Sequence, residues 1–253
     1  MTSAPLTYDL SLLTRSAERW RTAPGLRCYY RDLLQDVLGR RTSGPTLELG
    51  SGIGAIREID ADVITSDVAA TPYVERVVSA YAIEEAGRLW GAIVAVDVLH
   101  HLCEPLRFLR SAAESLVDGG RIVLAEPAAT LGGRWFYRWC HHEPCRPDEL
   151  SAPWVFEGSG DSGEFANMGM GWALFVRDRV ATEARLREFG LRLVDVRFRD
   201  GLGYPSTGGF SRGQLLPTAL IRGVIRVERW LPQWLWRGMG LRMIITIEKG
   251  AAA

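Results

Sequence analysis

The chain has 253 residues with 30 basic and 30 acidic side chains, so its formal net charge is zero and no bulk field points to nucleic acid. Hydrophobic residues at 47% and charged residues at 24% describe a globular chain long enough to bury one large core. Four cysteines do not make a disulfide framework, residues 1–10 lack a signal-peptide layout, and no apolar run is long enough to cross a bilayer, so a cytoplasmic protein is expected.

Residues 6–40 read as helical. Leu12, Leu13, Trp20, Leu26, Tyr29, Tyr30, Leu33, Leu34, Val37 and Leu38 recur at three-to-four spacing, with a break at Pro24-Gly25. Such a prelude covers a sheet face or the mouth of a site, and the sheet face is the expectation. Thr42-Ser43-Gly44-Pro45 then leads into a short β-prone run, Thr46 to Leu49, which ends in Gly50-Ser51-Gly52-Ile53-Gly54. Glycines in alternation after a strand make a tight turn that lets a ligand approach the backbone. Glu48, two positions before Gly50, sets this turn apart from a diphosphate binder. A carboxylate there suits a cation.

Strand and helix patterns then alternate. Residues 62–67 are a short strand ending in Asp67, residues 76–80 a second candidate strand, and residues 92–99 an apolar run of the kind found in central parallel strands. Residues 104–117 have helical periodicity, Asp118-Gly119-Gly120 stops them, and residues 121–126 form another strand. This order predicts a doubly wound parallel α/β sheet whose ligands sit at the carboxyl ends of the strands. Residues 131–177, rich in Trp, Gly, His and Pro, read as a largely irregular insertion over the site. Residues 178–189 read as a helix, 191–198 as a strand, 201–213 as a loop and 241–248 as the last strand. One domain is expected, with an N-terminal helical segment (1–43), a cofactor-binding half (44–130) and two substrate or lid insertions (131–177 and 201–238).

Asp67 lies 17 positions after Gly50 at a strand end, where two acceptor oxygens match the vicinal diol of a ribose. Together with it, Glu48-Leu49-Gly50-Ser51-Gly52-Ile53-Gly54, Val96-Asp97-Val98-Leu99-His100-His101-Leu102 and Gly119-Gly120-Arg121-Ile122-Val123 resemble class I S-adenosylmethionine-dependent methyltransferases in order and spacing over roughly residues 44–127. The resemblance implies a Rossmann-like sheet of seven strands with the last antiparallel. It implies that Gly50, Ser51, Gly52 and Gly54 line the methionine end of the cofactor above Glu48, that Asp67 and Val68 hold the ribose, and that Ala80 and Tyr81 lie at the adenine. Asp97 and Val98 complete the cofactor set. The insertion, with Tyr204-Pro205 and Gly208-Gly209-Phe210-Ser211, more loosely resembles bacterial methyltransferases of glycan and secondary-metabolite pathways.

Methyl transfer needs an aligned nucleophile and often a base. All four histidines form two adjacent pairs, and His100, His101, His141, His142 and Glu126 are the candidates, with His101 foremost. Cys140, His141, His142 and Cys145 invite a zinc reading, but no second cysteine pair follows, so no metal is assigned. In residues 215–237, Leu220, Ile221, Val224, Ile225 and Leu231 share one helical face, and Arg222, Arg226 and Arg229 another. Four arginines there rule out a membrane span and leave a lid, a homodimer contact or a membrane-surface contact. The expected function is methylation of a small molecule (a secondary metabolite, or a glycan or lipid-linked sugar), at oxygen because histidine and glutamate suit hydroxyl deprotonation. The alternative is a fold that binds the cofactor without methylating, as a binding module or in a reaction such as a cyclisation.

Overall fold

The computed structural model describes residues 10–141, 143–157 and 165–251. Its strands are β1 (Thr46–Leu49), β2 (Ile64–Asp67), β3 (Arg76–Val77), β4 (Trp90–Val96), β5 (Leu116–Pro127), β6 (Leu191–Arg199) and β7 (Arg242–Lys249). They form one seven-stranded sheet in the order β3-β2-β1-β4-β5-β7-β6. β1 to β5 pair in parallel, and β7 runs antiparallel to both neighbours, β5 and β6. This is the Rossmann-like sheet with its last strand reversed.

Side chains alternate across the central strands, as a pleated strand requires. Ile93, Ala95, Ile122, Leu124, Met243, Ile245 and Ile247 face one core, which also holds Phe108 and Leu109 of α3 (Pro105–Glu114), once α1 (Leu10–Thr22) and α2 (Pro24–Leu38) have preceded it in the chain. Val94, Val123, Ala125 and Ile244 face the other core, where α2 contributes Leu26, Tyr29, Leu33 and Val37. The N-terminal helices thus cover a sheet face as expected. They are needed there because the first two crossovers carry no α-helix: a 3-10 turn, Ala55–Glu58, follows β1, and only turns join β2 to β3. The expected strand over 76–80 stops after Val77, since Ser79 Oγ accepts the Tyr81 N–H at 3.1 Å and bends the chain away.

The expected irregular insertion is more ordered than its composition implies. α4 (Leu131–Cys140) opens on Thr130, whose Oγ1 accepts the Gly133 N–H at 2.9 Å. Two glycines hide this helix in the sequence, yet both are steric requirements. A Cβ on Gly133 would lie 1.9 Å from the Ala128 carbonyl oxygen, and one on Gly132 2.7 Å from that of Met239. After α5 (Met170–Trp172), a π turn, Ala173–Arg177, leads into α6 (Arg179–Glu188), close to the predicted helix. Following α7 (Gly203–Ser206), the segment 215–237 splits at Pro232 into α8 (Thr218–Glu228) and α9 (Gln233–Met239). α8 packs on α2 and buries Ile221 and Ile225, so part of its apolar face is used inside the molecule. Among the described residues no helix is long and apolar enough to cross a membrane.

Candidate functional site

The turn after β1 is built from three left-handed glycines, at φ +63° (Gly50), +52° (Gly52) and +67° (Gly54). Their demands differ. A Cβ on Gly50 would strike Val98 Cγ2 at 2.5 Å and one on Gly54 the Tyr73 carbonyl oxygen at 2.7 Å, whereas one on Gly52 would meet nothing within 4 Å. The middle glycine faces open space. Ser51 anchors the turn to β2: its N–H donates to the Ser66 carbonyl at 2.9 Å and its Oγ accepts the Ser66 N–H at 3.0 Å. Gly50, Ser51 and Gly52 line a cavity of about 200 Å³ together with Glu48, Asp97, Tyr30 and, from α1, Ser16 and Trp20.

Glu48 sits under this turn, 5% exposed, with Oε2 lacking any hydrogen-bond partner among the described residues. Burial pushes its carboxyl up to about 8, with Asp67 adding repulsion against the opposing hydrogen bond of Ser51. A buried acid with an unmatched oxygen beside an open glycine cradle is the environment a cationic ligand completes. S-adenosylmethionine, a sulfonium, fits this donor set.

Asp67 ends β2 as expected, but it turns back on the loop. Its Oδ2 accepts the Gly52 N–H at 3.1 Å and its Oδ1 the Val68 N–H at 2.8 Å, and neither Asp67 nor Val68 lines the cavity. Ala80 and Tyr81 lie in the core rather than the cavity wall. The Tyr81 hydroxyl accepts the Glu104 N–H at 3.1 Å, and its ring carries the Arg107 guanidinium at 4.9 Å.

Asp97 stands at φ +58°, a left-handed conformation for a residue with a side chain. Both its oxygens are gripped by Arg242 of β7, at 2.6 and 2.7 Å. Arg242 is buried, and its guanidinium lies 5.9 Å from the Tyr30 ring and 5.4 Å from that of Tyr204. Although burial opposes its charge, Asp97 holds Arg242 well above its usual range, so Arg242 stays a cation. Asp97 also lines a second cavity of about 500 Å³, which shares Ser16, Tyr30, Asp97 and Phe210 with the first. The two cavities therefore meet at Asp97.

The far wall of the larger cavity is a histidine–carboxylate cluster. His100 Nδ1 and Glu126 Oε2 are 2.7 Å apart, and Glu126 Oε1 accepts the N–H groups of Val98 at 2.9 Å and Leu99 at 2.8 Å. On its other side His100 Nε2 lies 3.6 Å from Glu143 Oε2. Burial pulls His100 down, but the charge and hydrogen bond of Glu126 and the contact with Glu143 carry it up to about 10, so it is a buried cation at neutral pH. His101 goes the other way: burial lowers it, and the charge on His100, whose ring centroid is 4.2 Å away, lowers it further. The His101 Nδ1 hydrogen donates to the Phe165 carbonyl at 3.3 Å, which leaves Nε2 with its lone pair, 3.8 Å from Glu143 Oε1. Burial raises Glu143, yet His100, His101 and His141 overcome it and hold the carboxyl down at about 2. His141 lines the same cavity with its Nδ1 3.9 Å from Glu143 Oε2; His142 lies outside the described residues.

Nitrogen and oxygen atoms of His100, His101 and Glu143 all fall within 4.8 Å of one another, close enough to hold a metal ion. The His100–Glu143 ion pair, with His101 Nε2 3.8 Å from the same carboxylate, already accounts for that placement. A separate cavity of about 530 Å³, beside β6 and α9, is lined by Asp32, Asp36, Arg199, Asp200 and Arg229. These charges are matched to one another, Arg199 to Asp32 at 2.6 Å, Asp36 at 3.0 Å and Asp200 at 2.9 Å, so that cavity is a structural ion-pair network.

Arg242, Glu143 and Tyr137 line the 500 Å³ cavity and are absent from the residues singled out above; Tyr30 and Tyr204, read from the sequence as a helix-face residue and as part of the looser resemblance, line it too. Glu143 had a signal, a carboxylate directly after a histidine pair, and so did Arg242, a lone cation at the head of an apolar strand. That Tyr30, Tyr137 and Tyr204 share one cavity is legible only in three dimensions.

Comparison with known proteins identifies the family and the fold. A family described as a methyltransferase domain matches residues 20–195. No curated protein matches the sequence. Among solved structures, an S-adenosylmethionine-dependent methyltransferase from Archaeoglobus fulgidus is similar at 12% identity, with 88% of this chain and 94% of that chain covered and a TM-score of 0.52. A second, described as an S-adenosylmethionine-dependent methyltransferase and possible histamine N-methyltransferase from Thermotoga maritima, is 14% identical over 93% of this chain and 95% of that one, with a TM-score of 0.51. Cavity, cofactor chemistry and family match converge: the chain belongs to the methyltransferase-domain family, with the class I fold and S-adenosylmethionine as its cofactor.

Proposed function

We propose that the protein transfers a methyl group to a hydroxyl oxygen of a small-molecule acceptor, a secondary metabolite or a glycan, held in the 500 Å³ cavity. The observation that carries this reading is the meeting of the two cavities at Asp97, with the glycine turn on one side and a base-bearing cluster on the other. The bound cofactor supplies an electrophilic methyl group. His101 would take up the hydroxyl proton at Nε2 as the acceptor oxygen receives the methyl group that bound S-adenosylmethionine would supply. Its lowered basicity keeps His101 neutral before the reaction, and the Glu143 carboxylate steadies the imidazolium afterwards. His100 is a positioning residue: already protonated and clamped between Glu126 and Glu143, it fixes both carboxylates and repels a resident proton from His101. The tyrosines Tyr30, Tyr137 and Tyr204, raised by burial, stay protonated and give the cavity apolar walls with hydroxyl tips.

The test is transfer of tritium from methyl-labelled S-adenosylmethionine into a small-molecule extract of the source cells. Label in a methyl ether is expected. Cofactor that binds but transfers no label, or label found only on nitrogen, would sink the reading. His101→Ala is expected to lower turnover by roughly 10²–10⁴-fold, the usual worth of a general base, with cofactor affinity unchanged; equal losses in both would contradict the base role.

A further inference from the structure

α4 presents two faces of different kind. Tyr137 is buried, and Phe136 and Cys140 line the acceptor cavity. Leu131, Trp135 and Trp139, four residues apart and so stacked on one side of the helix, stand 82%, 66% and 67% exposed. α9 lies against α4, with the Met239 backbone at Gly132, and adds Trp234 at 73% exposure. Every charged residue on these two helices is an arginine: Arg134, Arg138 and Arg237. Arg138 holds its guanidinium 5.5 Å over the Trp139 ring, and Arg134 pairs with the exposed Asp148 at 3.1 Å. Large aromatic side chains left in water beside cations, with no acid on either helix, do not repay their exposure within the chain.

We propose that this α4–α9 face docks on an anionic lipid bilayer, with Leu131, Trp135, Trp139 and Trp234 in the headgroup layer and the arginines against lipid phosphates. Charge decides the occupant. A second copy joined through the same face about a two-fold axis would set arginines against arginines, whereas an anionic surface complements them. Of the 215–237 segment, where Trp230, Trp234 and Trp236 beside arginines suggest a membrane contact, the proposal keeps Trp234 and adds α4, a helix that also walls the acceptor cavity. Docking brings the rim of that cavity to the lipid surface. The inference goes beyond the methyl-transfer reading and does not depend on it.

The test is co-sedimentation of the full chain with vesicles of equal parts phosphatidylglycerol and phosphatidylcholine, against phosphatidylcholine alone. Binding to the anionic vesicles that weakens with salt is expected, together with a loss of roughly tenfold or more in the Trp135→Ala/Trp139→Ala variant. Calorimetric binding of S-adenosylmethionine reports that the variant is folded. In the unaltered chain, hydrogen exchange of residues 131–140 is expected to slow when anionic vesicles are added, and this readout decides the matter should the variant not fold. Absence of vesicle binding by the unaltered chain, equal binding by the variant, unchanged exchange, or a dimer in light scattering that the variant converts to monomer would each overturn the proposal.

Discussion

Replacing Glu48 by glutamine should both stabilise the empty protein and weaken its hold on the cofactor. In the unfolded chain Glu48 ionises near 4.5, whereas the folded protein keeps it protonated up to about 8. A carboxyl raised in this way costs stability as pH climbs from 4.5 to about 8, with no further change above. At pH 7 the interval is about 2.5 units at about 1.36 kcal/mol each, so the folded state forgoes roughly 3 kcal/mol that Glu48→Gln, a neutral isostere, regains. The gain should vanish at pH 4, where both states are protonated. Cofactor binding has the opposite sign. A cation beside Glu48 favours the carboxylate, so binding releases a proton and affinity rises with pH until it levels near 8. Glu48→Gln loses that rise and, at pH 8, about 1.5–3 kcal/mol of charge-assisted binding, or roughly 10- to 100-fold. Denaturant unfolding at pH 4 and 7, and calorimetry from pH 6 to 9 in two buffers of different ionisation enthalpy, read both effects. A variant less stable than the parent at pH 7, or a parent whose affinity is flat from pH 6 to 8, would refute the reasoning.

Three further outcomes are expected. Gly52→Ala and Gly54→Ala both force a side chain into the left-handed region, at roughly 1–2 kcal/mol, but only Gly54→Ala also meets backbone, so it should lose more stability while Gly52→Ala, whose methyl enters open space, loses cofactor affinity out of proportion to stability. Chemical denaturation and calorimetry separate the two, and matched ratios would contradict this division. Arg242→Met leaves Asp97 unpaired at a left-handed position and is expected to destabilise by about 3–5 kcal/mol, with Asp97→Asn/Arg242→Met recovering part of the loss; additive losses in the double-mutant cycle would count against the pair. Protein purified without chelator should carry no stoichiometric metal, and a chelator should leave turnover unchanged, because protonated His100 already occupies the space between Glu126 and Glu143; elemental analysis that finds one equivalent of a divalent ion would reverse that account.

The class of the protein was legible along the chain because its evidence is local. Apolar runs of the 92–99 type make strands wherever two faces are covered, and Gly50, Gly52 and Gly54 act through their own φ angles. The buried carboxyl group under the turn follows from Glu48 sitting inside a strand. Sequence periodicity also placed α2 on the sheet. It misread 131–140 as irregular because glycine signals a break in a helix, and here the reason for glycine is the backbone of Ala128 and Met239, far away or across a turn.

What tertiary structure alone decided is which member of each pair does what. His100 and His101 are neighbours in sequence and look interchangeable, yet one meets Glu126 and Glu143 and becomes a cation while the other meets a carbonyl and stays neutral. Asp97 gains its meaning from Arg242, 145 residues away, and Glu143 from histidines on a different loop. Asp67, placed by its spacing at a ribose, spends hydrogen bonds on the glycine turn. Backbone preferences are properties of a few consecutive residues, so the sheet and its cofactor turn can be read from them. Charge states and partners depend on distances between segments that only folding brings together, so the chemistry of the acceptor side cannot.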